Sequence, residues 1–232
     1  MKFTAFAMKP TDQSGRYIEN VGQDGAVSSD MLYDKAYGVK VDTTIGVVNA
    51  TAGYTVFKDG KNNFNKKNNH GVSVASAEYD MKDNKIWNVG VSLDLAKDLA
   101  FTADYLKSDL DNIDTKVTHT YFDGDDGYVI GLNYKGAKAS EPGSYGLYAN
   151  YYDQSRGTVI AHTMNAALNG KGFSGYMLGA NYTLAKNIVA SLEWYNLEGK
   201  SIVSLDHRDG DKAISNPKQD MQTLWAQVVF TF

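Results

Sequence analysis

Between Ile86 and Ala96 the chain reads IWNVGVSLDLA, and every second residue is apolar. Trp87, Val89, Val91, Leu93 and Leu95 share one side; Asn88, Gly90, Ser92 and Asp94 share the other. A period of two is the signature of an extended strand whose faces meet different surroundings. After the connection AKD the pattern resumes in LAFTADYLK, so the pair reads as a hairpin. The same alternation recurs in GYVIGLNYK, SYGLYANYYD, GYMLGANYTL, NIVASLEWYN and LWAQVVFTF. Upstream, AYGVKVD and VNATAGYTV read as a hairpin turning near Asp42 to Thr44, and residues 2–8 form a weaker strand. Helical spacing is nearly absent.

The connections alternate in length. Short ones lie near 42–44, 96–98, 136–142 and 185–187; long polar ones lie near 9–30, 58–85, 109–126, 154–172 and 199–220. One end of the sheet therefore carries tight turns and the other long loops. Ten strands result, with both termini at the short-turn end. VSVASAEY (72–79) has strand character too, but one more strand would break the up-and-down parity. It is assigned to an excursion from the long-loop end. No Pro-rich linker or like-charge block divides the chain, so residues 1–232 read as one domain. Repeats of a hairpin each exclude a propeller, whose blades need four strands in that length.

Composition removes several function classes. The chain has no Cys, which excludes a disulfide framework, Cys zinc sites and thiol chemistry. A formal net charge of −4 gives no bulk attraction to nucleic acid. No apolar run approaches the ~18 residues of a membrane helix. The opening MKFTAFAMKPTDQSG lacks the charged, apolar and small-residue regions of a secretory signal.

Alternation alone suits a soluble sandwich or lipocalin-like barrel as well as a membrane barrel. Three features point to the membrane. The apolar sides end in Tyr, Trp or Phe, rings suited to the two interfaces. The opposite sides carry Gly, Asn, Ser, Thr, Asp, Lys and Glu, which suits a watery interior rather than a core. Strands of ~9–11 residues tilted by ~45° span a bilayer. The expected fold is an all-β, antiparallel, up-and-down transmembrane β-barrel. An open edge in hydrocarbon costs several kcal/mol per unpaired group, so its strands must close with each other or with strands outside this chain.

The ending LWAQVVFTF resembles the closing strand of bacterial outer-membrane proteins, with Leu224, Ala226, Val228, Phe230 and Phe232 on its alternating pattern. That resemblance implies an assembly signal at Phe230 and Phe232, read by the barrel-assembly machinery. The hairpins NVGVSLDLAKDLAFTADY and MLGANYTLAKNIVASLEWY resemble those of bacterial porins, most of all the OmpM-type porins that carry an S-layer-homology domain. The likeness covers the whole chain in style and rests on no unique motif. Nothing here resembles the S-layer-homology domain or its stalk, and such porins commonly have sixteen strands. The chain is thus either the C-terminal part of a longer protein or a complete ten-stranded barrel. The resemblance implies the bacterial outer membrane as location, its lipid as surroundings, no cofactor, and the homotrimer common among porins as the assembly to test.

His70, His119, His162 and His207 lie scattered in long loops. In LDHRDGD, Asp206, His207 and Asp209 sit too close in sequence for catalytic geometry, and the chain reads as a non-enzyme. FDGDDGY bunches Asp123, Asp125 and Asp126 as oxygen ligands for Ca²⁺ could be bunched, but without the EF-hand spacing, and D-G turn chemistry accounts for it. Lys58, Lys61, Lys66 and Lys67 read as a surface loop near lipid headgroups. TVIAHTMNAALNG (158–170) reads as a helix-like loop that either enters the lumen or caps it. By parity the inward residues are Lys40, Asp42, Asn49, Thr51, Asn88, Ser92, Asp94, Asp104, Asn133, Lys135, Asn150, Asn181 and Glu193. They line a water-filled pore for small hydrophilic solutes with slight cation preference, or bond to one another inside a closed or plugged barrel acting as adhesin, anchor or loop-borne hydrolase.

Overall fold

A computed structural model of the protein describes residues 1–9, 35–58, 83–110, 124–158, 172–201 and 218–231. Beyond these it gives the backbone of six strands in the long connections: 61–67, 73–80, 112–114, 118–121, 202–206 and 212–216. In chain order the strands are β1 (Lys2–Met8), β2 (Lys35–Ile45), β3 (Val48–Lys58), β4 (Lys61–Lys67), β5 (Ser73–Asp80), β6 (Asn84–Ala96), β7 (Leu99–Ser108) and β8 (Asn112–Asp114). They continue with β9 (Thr118–Tyr121), β10 (Asp126–Lys135), β11 (Tyr145–Gln154), β12 (Phe173–Ala185), β13 (Ile188–Gly199), β14 (Ile202–Asp206), β15 (Lys212–Asn216) and β16 (Asp220–Phe230). A short 3₁₀ turn covers Arg156–Thr158.

Ten of these form one antiparallel, up-and-down sheet in the order β1-β2-β3-β6-β7-β10-β11-β12-β13-β16. The expected ten strands and their order are all present. β1 and β16 are its edges, and among the described residues no ladder joins them. The 58–85 region leaves the sheet as the hairpin β4–β5, so VSVASAEY does belong to an excursion. The other excursions hold strands that the sequence reading left as loop. β8–β9 and β14–β15 are hairpins from different long connections, and they join through β9 and β14 into a second sheet of four strands.

The tight turns use residues that tolerate left-handed backbone. Gly46 has φ 62° in the two-residue connection between Ile45 and Val48. The first turn therefore lies three to four residues later than the expected Asp42–Thr44, which remain in the ladder opposite Thr51, Ala50 and Asn49. Asp98 (φ 65°) and Asn187 (φ 66°) close the turns after AK in β6 and β12, each beside a register shift in the strand before it. Short-chained Asp and Asn reach this conformation at less cost than other non-glycine residues.

Alternation gives the sheet an apolar and a polar face. The apolar face is uncovered: Trp87 is 62% exposed, Leu147 51% and Leu178 48%. Aromatic rings edge it in two rows. Tyr54 and Trp87 (centroids 4.3 Å apart), Tyr128 and Tyr151 (6.2 Å), and Tyr176 and Trp194 (5.5 Å) lie toward the long loops. Tyr134, Tyr145 and Tyr182 lie toward the short turns. Six residues separate the rows along β10, β11 and β12, about 20 Å at ~3.3 Å per residue. Beyond the row toward the long loops, Lys–carboxylate pairs tie strands together: Lys58–Asp83 (3.3 Å), Lys85–Asp109 (3.2 Å), Lys107–Asp125 (2.6 Å), Lys200–Asp153 (2.6 Å) and Lys218–Glu198. The buried cluster sits on the other face, where Tyr152, Phe173, Met177, Tyr195 and Leu197 pack with Val129, Tyr148 and Met221.

Candidate functional site: the polar face

The register aligns the polar face into rows across the sheet. One row runs Asp42, Thr51, Gly90, Asp104, Val129, Tyr152, Gly175, Leu197, Met221. The next runs Asn49, Ser92, Thr102, Gly131, Asn150, Met177, Tyr195, Thr223. The first row is polar from β2 to β7 and turns apolar over β10 to β13; the second stays polar from β3 to Asn150 on β11 and turns apolar at Met177 and Tyr195. The face therefore has two parts.

On the polar part, side chains lie down on glycines of the neighbouring strand. The Asn88 carboxamide occupies the space a Cβ on Gly53 would need, and the Asp104 carboxylate occupies that of Gly90. Thr102 and Asn150 share the space above Gly131. A side chain lying against the wall leaves the volume in front of it open. Lys40 pairs with Asp42 at 2.9 Å, and Thr51 donates to Asp42 at 2.8 Å. Asn49 accepts from Thr44 at 2.8 Å. Ser92 is half-buried, while Asp94 and Asp104 are exposed.

On the other part the polar groups are consumed. Glu193 accepts from Tyr148 at 2.9 Å and from Tyr195 at 2.5 Å, and the Tyr148 ring lies over Gly179. Asn150 donates to Tyr152 at 3.2 Å. Asn133 is half-buried, opposite Tyr148 in the register. Asn181 accepts from the Ala137 amide at 2.9 Å, and Thr183 donates to the Lys138 carbonyl at 3.0 Å. Gly136 lies directly over Gly146. The segment 136–144, expected as a short connection near 136–142, therefore folds onto the polar face. Its far side reaches the next turn, where the Asn187 amide donates to Ala139 at 2.7 Å.

The long-loop end has a matching cover. From β11 the chain turns at Ser155–Thr158 across β10 to β7 and β6. Asn84 donates to the Gly157 carbonyl at 2.7 Å, Ser108 donates to Asn84 at 2.7 Å, and the Leu110 amide donates to Ser108 at 2.9 Å. Asn84 and Ser108 are both buried, and Thr158 lies above Gly127. The start of the 154–172 connection thus lies against the polar face. The rest of its helix-like stretch, 159–170, is outside the described residues.

Lys135 departs from its expected inward place. Its φ of 57° at the strand end breaks the alternation. The ammonium lies 4.6 Å from the Tyr145 ring centroid and 5.3 Å from that of Tyr134, on the apolar side. Phe230 stands 58% exposed on the apolar face; Phe232 lies outside the described residues.

Asp125 in FDGDDGY pairs with Lys107, and Asp126 accepts from Tyr105 at 3.2 Å, so both serve cross-strand ties. Asp123 is outside the described residues, as are the side chains of all four His and of Asp206 and Asp209. Of the lysine-rich loop, Lys58 is tied to Asp83, and the backbone at Lys61, Lys66 and Lys67 is strand. Among the described residues no three His, Asp or Glu gather as a metal would require. No helix among them is long and apolar enough to cross a membrane, which says nothing of strands. The sequence reading missed Asn84, Ser108, Gly157 and Tyr148. A buried Asn or Ser at a strand end leaves no periodic signal, but Tyr148 was visible as an aromatic on the polar parity. No protein-family model matches the chain, and no curated protein matches it at significant similarity.

Proposed function

We propose that the protein is a porin of a bacterial outer membrane, passing small hydrophilic solutes by passive diffusion along the polar face of a closed β-barrel. The uncovered apolar face carries this reading. Its residues form a continuous band between two aromatic rows, and water does not tolerate a contiguous apolar surface of that extent on an isolated domain. Lipid does, and the rows have the chemistry of interfacial girdles. In hydrocarbon the edges β1 and β16 require hydrogen-bonding partners. Closure joins them directly, or through strands beyond this chain; the even count makes them antiparallel, which permits the direct ladder. Phe230 and Phe232 then form the assembly signal on the closing strand. The resemblance to OmpM-type porins agrees with this reading, and a homotrimer is its natural assembly.

One observation favours a second reading. The polar face over β10–β13 is filled by Tyr148, Tyr152, Met177 and Tyr195 and covered by 136–144, and the Ser155–Thr158 turn crosses β10 to β6. A barrel filled throughout would be a closed anchor or adhesin. Planar-bilayer recording separates the two. The pore reading expects stepwise conductance from the purified protein in its membrane-inserted form. Silence from both this chain and any longer natural form overturns it and leaves the filled barrel.

A further inference from the structure

We propose that solutes cross along one side of the barrel only, over the polar faces of β2, β3, β6 and β7, and that Asp104 sets the preference of this lane for cations. The inference rests on the pore reading above.

The two rows that run from polar to apolar carry the first half of the inference. Over β10–β13 the polar face is occupied by side chains of low exposure: Tyr152 9%, Met177 4%, Tyr195 2% and Leu197 1%. Segment 136–144 lies over that half at the short-turn end, while the Ser155–Thr158 turn crosses the long-loop ends of β10, β7 and β6 and so borders the lane there. Over β2–β7, Ala36 and Ile86 are buried toward the long loops, and nearer the short turns glycines at 53 and 90 let Asn88 and Asp104 lie flat. The lane ends at the short-turn side in a hollow lined by Lys2, Asp42, Asn49 and Thr51.

Charge accounting carries the second half. Lys40 and Asp42 neutralise each other at 2.9 Å. Glu193 is held by two tyrosine hydroxyls in the filled half. Lys135 sits among rings on the apolar side. Lys2 lies at the rim, paired with Asp42 in the register. Asp94 and Asp104 remain, exposed, with no cation at ion-pair distance among the described residues. Asp94 lies at the turn end; Asp104 lies midway along β7, inside the lane. Lys40, on the same face, is itself held by Asp42. A fixed carboxylate in a narrow polar passage raises the local cation concentration.

The chain has no cysteine, so introduced thiols report cleanly. Asn88→Cys and Ser92→Cys test the lane; Met177→Cys and Asn181→Cys test the filled half. Each is reconstituted in a planar bilayer and exposed to a cationic methanethiosulfonate reagent. Heat-modifiable migration verifies that each variant has folded. Current should drop at 88 and 92 and hold steady at 177 and 181. Equal block at all four overturns the lane while leaving the pore intact. Absence of current from the unmodified protein overturns the pore reading and the lane together. In a salt gradient, Asp104→Asn should lower the cation-to-anion permeability ratio toward unity, and Glu193→Gln should move it less. A ratio unmoved by Asp104→Asn, or moved as far by Glu193→Gln, overturns the role given to Asp104.

Discussion

Replacing Gly179 by Ala tests whether the filled half of the polar face is a packed core or a wall of independent side chains. A Cβ at 179 would fall inside the Tyr148 ring. The ring cannot settle closer to the wall, so it must swing away and release the 2.9 Å bond from its hydroxyl to Glu193. A hydrogen bond to a charged group is worth about 1.5–3 kcal/mol, and the low end applies because Tyr195 still holds Glu193. Unrelieved overpacking adds about 1–3 kcal/mol, and losing glycine's chain entropy returns about 0.5–1 kcal/mol. The net expectation is a loss of about 2–4 kcal/mol. The assay is urea unfolding in detergent or vesicles, followed by tryptophan fluorescence and heat-modifiable migration. The same substitution is then made on a Tyr148→Ala background. Without the ring there is nothing to displace, and Gly179→Ala should be neutral or stabilise by up to about 1 kcal/mol. Non-additivity of at least about 2 kcal/mol follows. An equal cost in both backgrounds would refute the reasoning, because the cost would then belong to the glycine backbone and not to the ring.

Leu132→Arg places a charge on the apolar face between the aromatic rows; if lipid covers that face near the bilayer midplane, insertion into vesicles should weaken by about 2–4 kcal/mol. Asn133→Arg, one residue on and facing the other way, should cost far less, and equal costs would contradict the assignment of faces. Asn84→Ala removes both a donor to Gly157 and the acceptor for Ser108 in a buried site. It should destabilise by about 1–3 kcal/mol and make the backbone at 155–158 a new site of proteolysis, and an unchanged digestion pattern would count against the turn being held there.

What could be read from sequence, and what could not, follows from the range of the forces involved. Alternation is a local property, so Trp87 to Leu95 or Tyr176 to Leu184 announced their strands without help from the rest of the chain. The misplaced first turn shows the limit. Asp42-Thr43-Thr44 has turn chemistry, but Thr51 across the ladder gives Asp42 a hydrogen bond, and Gly46 offers the cheaper positive φ. Lys135 was assigned by parity, and its left-handed backbone cancelled the parity. Glu193 stands on the polar face, but the hydrogen bond that holds it there comes from Tyr148, forty-five positions away. The filling of β10–β13 was partly visible, since Tyr148, Tyr152, Met177 and Tyr195 all stand on the polar parity. Their apolar character conflicts with a uniformly watery interior, and that conflict is the signal. The anchoring of Gly157 by Asn84 crosses seventy-three positions and has no local trace.

The ladder between β9 and β14 has a consequence for the order in which the molecule assembles. The ten-stranded sheet joins strands in the order of the chain, so it can zip up hairpin by hairpin. Tyr121 and Val203 are eighty-two positions apart, and their ladder contains four pairs. Closing a loop of that length from an unfolded chain costs about 3 kcal/mol more entropy than closing a four-residue hairpin. Four pairs return little against it. Once β10 to β13 are in place, they fix the roots of both excursions and most of that entropy has already been lost. The ladder is then nearly free to form. Hydrogen exchange should therefore find it the first ladder to open, a clasp whose closure depends on β10 to β13 having found their neighbours.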